Sequence, residues 1–189
     1  MKKLLLFVAV ATLSFTAAQS QNVRFGAKAG VNFSSLNGSD IDNVDMLTGL
    51  HVGAVARIGI SELFAIQPEI VYSLQGYSLD DDLKVNLNYI NLPIMVDFTL
   101  AEGFSLQAGP QVGFNLSSKV DFDGEKEDAE GVQTVDIGAG LGAQYILPMN
   151  LFFQARYVTG LTSVFEDFDG ESFDAKNSVI SLSVGYFFN

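Results

Sequence analysis

The chain has 189 residues, enough for one domain, with 22 acidic against 10 basic side chains and a formal charge of −12. So acidic a chain repels phosphate, which argues against a nucleic-acid partner. Without cysteine it has neither a disulfide framework nor a lipoprotein anchor, yet 48% of its residues are hydrophobic, so charge and apolar surface must be segregated.

The first element is Met1-Lys2-Lys3, an apolar run from Leu4 to Leu13 and a small-residue end from Ser14 to Ser20, the layout of a secretory signal. The apolar run is about half the roughly twenty residues that a spanning helix needs. Cleavage is expected after Ser20, with Ala18 as the alternative. This sets residues 1–20 as signal peptide and 21–189 as a single barrel domain.

From Val23 the apolar residues recur at every second position, the period of a strand. The first segment sets Phe25, Ala27, Ala29, Val31 and Phe33 against Arg24, Gly26, Lys28, Gly30 and Asn32. The second sets Leu50, Val52, Ala54, Ala56 and Ile58 against His51, Gly53, Val55, Arg57 and Gly59. The third alternates Phe64, Ile66, Ile70, Tyr72 and Leu74 with Gln67, Glu69, Ser73 and Gln75. In the fourth, Ile90, Leu92, Ile94, Val96 and Phe98 oppose Tyr89, Asn91, Met95 and Asp97. The fifth runs from Phe104 to Leu116 against Gln107, Gly109, Gln111, Gly113 and Asn115. The sixth runs from Val135 to Tyr145 against Asp136, Gly138, Gly140, Gly142 and Gln144. The seventh sets Leu151, Phe153, Ala155 and Tyr157 against Gln154, Arg156 and Gly160. The last sets Ile180, Leu182, Val184, Tyr186 and Phe188 against Ser181, Ser183 and Gly185.

An even number of such strands is what a bacterial transmembrane barrel requires. Three features turn the apolar face outward, to lipid. No charge falls on it, where one near the midplane costs about 2–4 kcal/mol. Tight turns at 60–62, 101–103 and 148–150 alternate with long stretches at 35–47, 77–86, 118–131 and 162–176, as periplasmic turns alternate with outer loops. Aromatics gather at the periplasmic strand ends: Phe25, Phe64, Phe98, Phe104, Tyr145, Phe153 and Phe188. Lipid offers no partner to an open sheet edge, so the first strand must close on the last. The expected fold is all-β: a closed, eight-stranded, antiparallel up-and-down transmembrane barrel in the bacterial outer membrane. A lipocalin-like periplasmic ligand-binding barrel, apolar inside, is the alternative.

Gln67-Pro68-Glu69, Tyr89-Ile90-Asn91-Leu92-Pro93 and Ala108-Gly109-Pro110 give the mature chain a further character. With these motifs it resembles the PorT-like outer membrane β-barrel family. The resemblance implies a small outer-membrane barrel and says little about activity, since members are defined mostly by fold. Pro68, Pro93 and Pro110 fall inside strands, where proline removes a ladder donor; bulges or local breaks are expected there.

The inward face carries Arg24, Lys28, Arg57 and Arg156 with Glu69, Asp97 and Asp136. Buried charges must pair, and eight strands leave room for side chains or one small ligand. A lumen plugged by a charge network is therefore expected, with a narrow pore or transport-associated barrel as the alternative. Inward glycines such as Gly138, Gly140 and Gly142 make space for long side chains; without a following helix they form no nucleotide loop.

Most carboxylates lie in the four long loops, where they keep the outer surface hydrated. Asp167-Phe168-Asp169-Gly170-Glu171 places oxygen ligands at alternate positions around a glycine, a partial calcium-loop pattern. Asp167, Asp169 and Glu171 are thus weak metal candidates, and no cofactor is expected. Phe165, Phe168 and Phe173 interleave with these acids and either contact a partner or fold onto the barrel rim. The single histidine, His51, has no second histidine, cysteine or Gly-x-Ser-x-Gly elbow beside it. A site built from His51, Ser73 and a loop Asp has no support in the spacing, so no catalytic residue is assigned. The expectation is a non-enzymatic structural or interaction protein in outer-membrane lipid, offering acidic loops to other envelope proteins.

Overall fold

The computed structural model describes residues 23–38, 44–80, 83–122, 125–129, 131–165 and 174–188. The expected signal peptide and the metal candidates Asp167, Asp169 and Glu171 lie outside them, as do Phe168 and Phe173.

The strands are β1 (Val23–Asn37), β2 (Asp45–Gly59), β3 (Phe64–Asp80), β4 (Leu83–Ala101), β5 (Phe104–Phe122), β6 (Glu125–Asp128), β7 (Val135–Ile146), β8 (Leu151–Gly160) and β9 (Lys176–Phe187). All but β6 form a closed antiparallel barrel in chain order. Closure is made by β1 on β9, from Gly26↔Phe187 to Asn37↔Lys176. Every wall strand is then paired on both sides, the condition for a sheet without water.

The two faces divide as the alternation requires. Leu141 is 66% exposed on the outer face, as are Leu50, Ile70 and Ile94 to similar degrees, while Gln67 and Asp97 inside are fully buried. A greasy exterior around a polar interior is the inverse of a lipocalin, so the lipocalin-like alternative is set aside. Phe64 and Phe98 pack with ring centroids 5.2 Å apart at the end of the wall that carries the short turns.

The strands run further than their clearest alternation. β3, β4 and β5 have 17, 19 and 19 residues, where about 9–11 cross a bilayer. The stretch 77–86, expected as a long loop, is strand except at residues 81–82, which lie outside the description. Its polarity is reversed: Tyr77, Val85, Leu87 and Tyr89 point inward and are buried, while Lys84 is exposed. The wall thus changes at its long-loop end from a membrane barrel to one that is apolar inside, and this masked the strand pattern. The stretch 118–131 likewise holds the end of β5 and all of β6. Lys119 and Asp128 stand opposite in register, and opposite charges across a pair favour the ladder.

No register shift occurs at the prolines. Between β3 and β4 the pairing runs to Pro68↔Ile94 and resumes at Val71↔Asn91 in the same register. Between β4 and β5 it runs to Pro93↔Gln111 and resumes at Val96↔Ala108. Of the bulges or local breaks expected there, the ladder shows the breaks: short gaps without a shift, since flanking pairs on both sides fix the alignment. The shifts lie elsewhere: between Met46 and His51, facing the stretch with Gly76 at φ 144°, between Ser78 and Asp80, between Asn88 and Tyr89, and between Thr99 and Ala101.

Candidate functional site

The barrel wall delivers its inward side chains to four levels of the lumen. At the short-turn end Val55, Phe152 and Phe187 are buried together, with Ile146 packed against them. The Phe152 and Phe187 centroids are 4.7 Å apart, and the Arg24 guanidinium lies 4.6 Å over Phe187. Gly185 makes room for this layer. A Cβ there would fall 2.2 Å from Phe152 Cζ, so the aromatic ring occupies the volume a side chain on β9 would take.

The next level is ionic. Arg156 donates from Nη1 to Glu69 Oε2 at 2.9 Å and from Nη2 to Glu69 Oε1 at 2.7 Å. Lys28 Nζ donates to Glu69 Oε2 at 2.6 Å and to Gln154 Oε1 at 2.7 Å. Arg57 Nε donates to Asp97 Oδ2 at 3.0 Å. Gln107 joins the two groups: its Nε2 donates to Asp97 Oδ1, and its Oε1 accepts from Arg156 Nη2 at 2.9 Å. Gln154 bonds Gln107 and Gln144, and Gln67 bonds Glu69 and Gln144. The four glutamines are at most 4% exposed.

Of the seven expected lumen charges, then, Lys28, Glu69, Arg57, Asp97 and Arg156 form one connected layer. Arg24 and Asp136 lie outside it. Arg24 Nη2 donates to Asn150 Oδ1 at 2.6 Å in the β7–β8 turn. Asp136, near the long-loop end, accepts from Asn177 Nδ2 at 2.6 Å and from Thr162 Oγ1 at 3.3 Å. Distance along the barrel axis, which alternation does not encode, separates them from the rest. The bridging glutamines had one legible signal, their inward parity; that they share a level is fixed only by register, which sets Asp97↔Gln107 and Gln144↔Gln154 face to face.

Above the ionic layer His51 is buried. Its Nδ1 lies 2.8 Å from Asn32 Oδ1 and its Nε2 2.8 Å from Ser183 Oγ. Asn32 Nδ2 donates to the Leu74 carbonyl, an acceptor only, which fixes the amide and turns Oδ1 toward the histidine. The neutral ring therefore donates from Nδ1 and accepts the Ser183 hydroxyl at Nε2. Asn32 also donates to Ser73 Oγ, so Ser73 reaches His51 only through an amide. The ring nitrogens thus meet an amide and a hydroxyl in place of a carboxylate.

At the long-loop end lies a second buried apolar group: Leu36, Tyr77, Val85, Leu87, Tyr89, Val164 and Ala175, with Val120, Val132 and Phe165 packed against it. The segment after β8 takes part, since Val164 N donates to the Ala175 carbonyl and Phe165 bridges to Val132. Phe165 thus lies on the barrel rim.

Compared with known proteins, residues 17–166 match the family model described as an outer membrane protein beta-barrel domain. Among solved structures, Neisserial surface protein A aligns at TM-score 0.63 and 15% identity, over 87% of this chain and 97% of that one. Ail, the attachment invasion locus protein of Yersinia pestis, in complex with the heparin analogue sucrose octasulfate, aligns at 0.53 and 16%, over 88% and 99%. A major outer membrane protein from Thermus thermophilus aligns at 0.50 and 15%, over 89% and 100%. At such identities the likeness is one of fold alone. A search of curated proteins gave no match.

Proposed function

The chain belongs to the outer membrane protein β-barrel domain family and resides in the bacterial outer membrane, and on that premise we propose that it is a non-conducting, non-enzymatic structural or interaction protein. One observation carries this reading. A hydrogen-bonded layer of Lys28, Glu69, Arg57, Asp97, Arg156 and glutamines crosses the lumen between two apolar groups. For an ion to pass, it would have to part buried charge pairs, and leaving such charges unpaired costs several kcal/mol, about 3–5 by mutational precedent. His51 and Ser183 are both buried in the lumen, away from the outer surface, which supports the non-enzymatic part.

What then remains for function is the outer surface. The acidic loops are its chemical feature, and they suit partners that present basic groups. Ail was crystallised with a sulfated polyanion; a surface of this charge favours the opposite kind of ligand. Export rests on the segment 1–20 with cleavage after Ser20, and Gln67-Pro68-Glu69, Tyr89–Pro93 and Ala108-Gly109-Pro110 support placement among PorT-like barrels.

Planar-bilayer recording on the purified protein tests the central point. In molar potassium chloride the barrel should insert without discrete current steps. Reproducible steps would replace the plug with the narrow-pore reading. The N-terminal residue of the mature protein, read by mass spectrometry, should be Gln21.

A further inference from the structure

Lys28 and Arg156 share a single carboxylate, Glu69. With the Arg57–Asp97 pair added, the buried layer holds three cations and two anions and keeps one positive charge. His51 does not offset it, and Asp136 is bonded elsewhere, to Asn177 and Thr162. Uncompensated charge away from water is costly unless a counter-charge sits beside it.

Beside the two cations that share Glu69 the lumen leaves a cavity of about 30 Å³. Lys28 and Arg156 line it, with Asn91, Gln111, His51 and Ser181 among the polar groups around them. Among the described residues no carboxylate lines it. Arg156 is 5% exposed, and its Nε–H is fully buried without a hydrogen-bond partner. Holding one water takes about 10–15 Å³ of such space, so the volume suits a monatomic ion and is tight for sulfate or phosphate.

We propose that this mid-lumen cavity is a binding site for a single halide ion, chloride in the cell, held between Lys28 and Arg156 with amide donors completing its shell. The ion neutralises the excess positive charge and gives the orphan guanidinium N–H an acceptor. Lying between the apolar groups at the two ends of the lumen, it is a structural ion taken up as the barrel closes, not one in transit.

The test uses the protein purified from membranes, unfolded and refolded in detergent with sodium bromide. Crystals from this material should show one anomalous bromide peak within hydrogen-bond distance of Lys28 and Arg156. The heat-induced transition should lie higher in chloride or bromide than in gluconate at equal ionic strength, by about 3 °C or more for a chain of this length. Gln111→Glu supplies an internal negative charge at the cavity wall; it should abolish the peak and make the transition indifferent to the anion. A cavity holding only water, with no anomalous signal, overturns the proposal. So does a peak that persists unchanged in Gln111→Glu, because the ion would then not be answering the charge. The bromide measurement on the unaltered protein decides the matter even where the variant does not assemble.

Discussion

Arg156 on β8 and Glu69 on β3 meet across the lumen in a two-point fork, at 2.9 and 2.7 Å. Neither strand pairs with the other, so the contact crosses the barrel interior instead of following the wall. A planar guanidinium fits a carboxylate in this way without strain. The fork joins opposite sides of a structure otherwise held by neighbour-to-neighbour ladders.

Removing the carboxylate alone should be severe. Glu69→Gln strands Lys28 and Arg156 and should cost about 3–5 kcal/mol. Urea titration followed by gel mobility with and without boiling measures this. The triple change Lys28→Met, Glu69→Leu, Arg156→Met should lose far less, because it leaves no buried charge behind. A Glu69→Gln barrel as stable as the parent would mean that the layer contributes nothing.

Gly185 and Phe152 should behave as a coupled pair. Gly185→Ala puts a Cβ 2.2 Å from Phe152 Cζ, and such overpacking costs about 1–3 kcal/mol. Phe152→Leu in the same chain should recover part of the loss. A double-mutant cycle checks it; additive effects would show that the ring moves aside freely.

The lipid-facing wall and the projecting wall should answer differently to charge. Leu141 lies at the middle of β7 with its side chain outward, and Leu141→Arg should cost about 2–4 kcal/mol. Lys84→Gln, on the exposed face beyond the apolar band, should stay within about 0.5 kcal/mol of the parent. Folding into vesicles followed by denaturant titration compares the two. Equal costs would place the membrane boundary elsewhere.

Asn150 has a positive φ of 68° in the β7–β8 turn and accepts the Arg24 hydrogen bond. Asn150→Ala loses both the tolerated left-handed conformation and the acceptor, and about 1–2 kcal/mol of stability with them. Asn150→Gly, which keeps the backbone freedom, should lose only the hydrogen-bond share. Thermal melts by circular dichroism rank the two, and an Ala variant more stable than the Gly variant would contradict the strain argument.

Much of the barrel was legible along the chain. The alternation from Phe25 through Phe188 identifies eight wall strands and their lipid face, because a period of two is a local property of each strand and lipid tolerates no charge on it. His51 and the seven inward charges could be assigned to the lumen by parity alone. The ends of β3, β4 and β5 were hidden: the apolar side chains Tyr77, Val85 and Leu87 turn inward there, and clustered acids resemble a loop.

The sequence by itself determined which face of each strand meets lipid and which side chains enter the lumen. Only the tertiary structure decided which of those side chains meet. Parity gives direction, but height along the barrel depends on the stagger of one strand against the next. That stagger, kept in register through three prolines, brings Lys28, Glu69 and Arg156 from three separate strands to one level and leaves Arg24 and Asp136 at opposite ends.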